Sequence, residues 1–114
     1  MKVKILIADD HFVVRAGMKI IIEAQLKNAQ IDIAEDYYEV IHKLENERFD
    51  LIILDINMNG SKFKLMISEL RKIQSDVKII VFSVFEENIG LQYISEGANA
   101  YINTTKAFQL IGVA

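Results

Sequence analysis

The sequence predicts an α/β fold in which one parallel sheet carries helices on both faces. Short β-branched runs alternate with longer segments of helical periodicity along the whole chain. The first, third and fourth runs are apolar almost throughout, the pattern of strands covered on both faces. Parallel neighbours also need crossover connections, which are right-handed and commonly helical.

The strand expectations are Val3 to Ala8, Gln30 to Ala34, Leu51 to Asp55, Val77 to Phe82 and Ala98 to Ile102. The second, with Asp32 between Ile31 and Ile33, has the alternation of an edge, and the fifth is short. Val13, Gly17, Ile20 and Ala24 recur at i, i+4, i+7 and i+11, which predicts the apolar stripe of a first helix. Tyr37, Val40, Ile41 and Leu44 make a second stripe, and Phe63, Ile67, Leu70 and Ile73 a third. Ile89, Tyr93 and Ile94 make a fourth, stopped by Gly97 where a left-handed residue is wanted. A last helix after the fifth strand is expected to be short, frayed or truncated, because only Lys106 to Ala114 remains and it includes Gly112.

At 114 residues the chain is expected to be one domain, 1–114, with a single core. Charged residues at 25% and apolar residues at 52% describe a globular protein and exclude a disordered one. The apolar runs are too short for a membrane-spanning helix, and the N-terminus lacks the pattern of a secretory signal. The net charge of -3 and dispersed basic residues argue against a nucleic-acid surface on this domain. There is no cysteine, which excludes disulfides and thiolate chemistry and makes the cytoplasm the expected location.

Asp9-Asp10 ends the first apolar run and Asp55 ends the third. In an open parallel sheet these positions share the ligand-binding rim at the carboxyl ends of the strands. Three carboxylates gathered there repel one another unless a cation lies between them. Hard oxygen donors favour Mg2+, with Mn2+ as its substitute, held at about 2.1 Å with several waters retained. A carboxylate beside such an ion can attack phosphorus, so Asp55 is the candidate nucleophile, and Ser83 at the end of the fourth run can supply a hydrogen-bond donor.

These residues stand in motifs that resemble the receiver domain of bacterial two-component response regulators. The resemblance rests on Ile5-Leu6-Ile7-Ala8-Asp9-Asp10-His11, Asp50-Leu51-Ile52-Ile53-Leu54-Asp55-Ile56-Asn57-Met58, Val81-Phe82-Ser83 and Gly97-Ala98-Asn99-Ala100-Tyr101-Ile102. The Asp-Asp-His start followed by Val13-Val14-Arg15-Ala16-Gly17 is most similar to the subfamily with a C-terminal helix-turn-helix. It implies a flavodoxin-like doubly wound sheet in the order 2-1-3-4-5. It further implies that Asp55 accepts a phosphoryl group from a sensor histidine kinase, with Mg2+ held by Asp10, Asp55 and the Asn57 backbone carbonyl, and by Asp9 through water. Ser83 would be the switch hydroxyl and Tyr101 the switch aromatic. The face made by the fourth helix, fifth strand and fifth helix would change its partner preference, homodimerisation included, and regulate transcription through an output domain.

The sequence departs from the family pattern where a lysine is expected, for Thr104 stands there and Lys106 lies two residues on. Lys106 is then a candidate displaced lysine. The alternative is a pseudo-receiver, an interaction or dimerisation module independent of phosphorylation. Phe12 and Asn59 occupy two positions where the family commonly has proline. A Mg2+-dependent phosphatase is disfavoured because the position of its acid/base carboxylate holds Asn57. Flavin binding is disfavoured because no glycine-rich phosphate loop follows the first strand. His11 reads as an exposed first-turn residue, His42 as part of a solvated helix face, and Met58 and Met66 as packing residues.

Overall fold

The computed structural model describes residues 2–56, 58, 66–83, 94–95 and 97–103, with the backbone alone at Ser83 and Asn103. Its elements are β1 (Val3–Ala8), α1 (Phe12–Gln25), β2 (Ala29–Ala34), α2 (Tyr37–Asn46), β3 (Leu51–Asp55), α3 (Met66–Ile73), β4 (Lys78–Ser83) and β5 (Ala100–Asn103). All neighbouring strands pair in parallel, in the order β2-β1-β3-β4-β5. The three apolar strands β1, β3 and β4 are therefore interior and β2 and β5 are edges, as their composition predicts.

Right-handed crossovers fix where the helices lie. The chain moves one way from β1 to β2 and the other way from β2 through β3 to β4, so α2 and α3 share a face and α1 takes the opposite one. Alternation along the strands agrees. Leu6, Ala8, Ile52, Leu54, Ile79 and Val81 form one cluster with Tyr37, Val40, Leu44, Met66, Ile67 and Leu70, while Ile5 and Ile7 are buried outside it. Met58 joins the same cluster. The Tyr37 hydroxyl stitches α2 to α3 by donating to Glu69 Oε1 at 2.6 Å. Asp36 caps α2 by accepting from the Glu39 N–H at 2.8 Å.

The predicted stripe of α1 is the wrong one. Val13 is 79% exposed and Ile20 is exposed too, whereas Val14, Met18 and Ile22 are half-buried and Arg15 is only 8% exposed. Apolar residues occur on both sides of this helix, so periodicity alone offers two nearly equivalent faces, and Arg15 made the true one look polar.

The fifth strand starts two residues later than expected. Asn99 explains the delay: its N–H donates to the Ile79 carbonyl at 2.8 Å, and its side-chain Oδ1 accepts from the Ile79 N–H at 2.8 Å. The side chain thus takes the place of a backbone ladder partner before regular pairing begins at Ala100 opposite Ile80. Gly97 has φ 115°, the positive value expected of it. The fourth-helix residues Ile89 and Tyr93, Phe63 of the third stripe, and the expected last helix lie outside the described residues.

Candidate functional site

Strand register creates the site. Ala8 pairs with Leu54, so Asp9 and Asp55, each the next residue, emerge side by side at the carboxyl ends of β1 and β3. Asp55 in turn pairs with Phe82, which puts Ser83 one residue beyond it on the same rim. Both central carboxylates are buried, Asp9 at 2% and Asp55 at 5% exposure, and Asp10 is more open. One ligand atom from each of Asp9, Asp10, His11 and Asp55 can be chosen so that all lie within 4.8 Å of one another. That donor set fits a small divalent cation: carboxylate oxygens converge from two strand ends, and two of the three carboxylates are withdrawn from water.

His11 belongs to this cluster, a role beyond that of the exposed first-turn residue expected from the sequence. Its exposure is borne out, with the side chain 68% accessible, but the ring turns back toward the rim. Nδ1 lies 2.9 Å from Asp9 Oδ1 and 2.9 Å from Asp10 Oδ1. The His11 N–H also donates to Asp9 Oδ1 at 2.6 Å. Burial pushes the Asp9 carboxyl above its ordinary value, and the hydrogen bonds from His11 oppose that shift only in part. The imidazole is raised, first by its hydrogen bond to Asp9 and then by the Asp10 charge. Burial thus opposes the charge on Asp9, while the two neighbouring carboxylates favour the charge on His11.

Arg15 is the residue least expected at this site. Its Nη1 donates to the Asp9 carbonyl at 2.8 Å from inside the protein, and Nη2 stands 3.7 Å from Glu35 Oε1. Nothing bonds its buried Nε among the described residues. The available signal was a lone cation inside the apolar stretch Val13-Val14-Arg15-Ala16-Gly17, one turn after the carboxylates. Tyr101 pairs in register with Val81 and packs, partly buried, against the core cluster. Asn57, Thr104 and Lys106 lie outside the described residues, as does the side chain of Ser83.

Residues 5–111 match the response regulator receiver domain family. The chain belongs to that family. This receiver domain is 34% identical over 101 residues to the oxygen regulatory protein NreC of Staphylococcus epidermidis, a match covering 87% of the chain and 46% of that relative. It is 28% identical to the Fimbriae Z protein of Escherichia coli, over 87% of the chain and 48% of the relative. The receiver domain thus spans about half the length of the curated relatives it matches. Among solved structures, TrrA of Thermotoga maritima in complex with Mg(2+)-BeF superposes with a TM-score of 0.76 at 31% identity, over 97% of this chain and 93% of that one. A CheY-like receiver domain protein of Methanospirillum hungatei gives 0.81 at 24% identity, over 97% and 91%. The receiver domain is a signalling module of a two-component system.

Proposed function

We propose that Asp55 is the phosphoacceptor of this receiver domain and that a sensor histidine kinase is the donor. The observation that carries the reading is the register pairing that sets buried Asp55 beside Asp9 at the ends of β3 and β1. A carboxylate oxygen of Asp55 attacks phosphorus in line with the phosphohistidine nitrogen. The new O–P bond forms as the P–N bond breaks, and the released imidazole takes a proton. Asp55, Asp10 and Asp9 would hold Mg2+, with the Asn57 carbonyl as a further oxygen donor. When bound, the ion supplies positive charge beside the phosphoryl oxygens. Arg15 holds the Asp9 backbone in place through its carbonyl. That TrrA was solved in complex with Mg(2+)-BeF supports Mg2+ as the ion.

Ser83 follows the β4 neighbour of Asp55, the position from which a hydroxyl can meet the phosphoryl group. Tyr101, half-buried on β5, would pass the change toward that edge of the sheet. The output is a changed preference for a partner, a second copy included, which in the cytoplasm regulates transcription through an output domain. The pseudo-receiver alternative rests on Thr104, and no described residue favours it.

The test is intact mass after incubation with acetyl phosphate and Mg2+. One added phosphoryl group is expected on the parent and none on Asp55→Asn. A parent mass that stays unchanged overturns the reading.

A further inference from the structure

His11 is the feature of the rim that phosphoryl transfer to Asp55 leaves unused. We propose that its imidazole is a protein ligand that lets this site hold borderline divalent ions, Ni2+ and Zn2+, through a nitrogen that Mg2+ does not need. The inference rests on the proposed cation site and extends it to a second class of ion.

Donor spacing carries the argument. Two adjacent donors, each about 2.1 Å from an octahedral ion, stand about 3.0 Å apart. His11 Nδ1 lies 2.9 Å from Asp9 Oδ1 and 2.9 Å from Asp10 Oδ1, so an ion that displaces the proton on Nδ1 finds two pairs of donors at that spacing. The backbone fixes this arrangement. The His11 N–H is bound to Asp9 Oδ1, its carbonyl accepts from the Arg15 N–H at 3.1 Å, and the Asp9 carbonyl is held by Arg15 Nη1. His11 occupies the N-cap position of α1 but makes no side-chain capping bond there, leaving the ring turned toward the carboxylates. Its exposure leaves an open route for an ion from solvent.

Chemistry then selects the ion. Mg2+ prefers oxygen and keeps its waters, gaining little from imidazole. Later first-row ions gain strongly from an imidazole nitrogen, and these three side chains supply one nitrogen and two oxygens on adjoining residues.

The experiment is calorimetric titration of the purified chain with Mg2+ and, separately, Ni2+, at one fixed pH of about 8. The parent, His11→Ala, Asp10→Asn and, as a control for the second histidine, His42→Ala are compared. His11→Ala is expected to lose about tenfold or more in Ni2+ affinity while Mg2+ affinity stays within about twofold. His42→Ala should match the parent. In proton–nitrogen correlation spectra of the parent, Zn2+ should shift the His11 ring nitrogen far more than Mg2+, which alters only the carboxylates that the ring contacts. Ni2+ affinity unchanged in His11→Ala, or Ni2+ and Mg2+ affinities falling together, overturns the role of His11 while leaving the carboxylate site intact. Mg2+ affinity unchanged in Asp10→Asn overturns the cation site itself, and this inference with it.

Discussion

At the scale of single residues, His11 and Asp9 titrate in ways that couple the rim to stability. The His11 value is raised above the ordinary 6.5 by its contacts with Asp9 and Asp10. The folded state therefore binds that proton more tightly than the unfolded chain does. The resulting stabilisation is complete below pH 6.5 and disappears as pH rises through the raised folded value. Asp9, raised by burial, gives the same sign in its own range: ionisation costs stability above its folded value, and the cost is relieved as pH falls toward 3.8. Without divalent cation, the midpoint of urea unfolding should thus fall as pH rises from about 6 toward 8, and His11→Ala should flatten that slope. An equal slope in both proteins would place the titrating group elsewhere. The carboxylates were legible in the sequence because each ends an apolar run. His11 and Arg15 were not, because their roles depend on how the chain turns after β1.

At the scale of elements, reading succeeded where one face of a segment is apolar and failed where two are. The stripe of α2 is correct because Glu39, His42 and Lys43 leave only one apolar side. In α1, Val13 and Ile20 compete with Val14, Met18 and Ile22, and the buried cation decides against the expected face. The start of β5 was missed for another reason: Asn99 imitates a backbone acceptor with its side chain, which residue type does not announce. Gly97 was readable because a left-handed position selects glycine. A Cβ there would meet Ile67 Cγ2 at 3.6 Å, an ordinary contact, so only the backbone resists substitution. Gly97→Ala should therefore destabilise the protein by about 1–2 kcal/mol in chemical unfolding. A loss well beyond that range would mean that packing against α3 is affected as well.

At the scale of the whole molecule, one sheet topology both builds the core and concentrates charge. Parallel strands send the carboxyl ends of β1 and β3 to the same edge, so the register that buries Leu6 and Ile52 also juxtaposes Asp9 and Asp55. The fold bears a local repulsion that a bound cation would relieve, and this gives a crossover to measure. Carboxylates about 4 Å apart repel by about 1 kcal/mol where water screens them and more where it does not. Asp10→Asn should consequently raise the thermal midpoint of the chelator-treated protein by a few degrees. In the parent, Mg2+ at about one hundred times its dissociation constant should add about 2.7 kcal/mol, a rise on the order of 10 °C. The same concentration should do little for Asp10→Asn, so the order of stabilities inverts between chelator and Mg2+. Monovalent salt matched in ionic strength should raise the parent only slightly, because it screens the buried pair poorly. Midpoints that keep one order in both buffers would show that Mg2+ relieves no repulsion between these carboxylates.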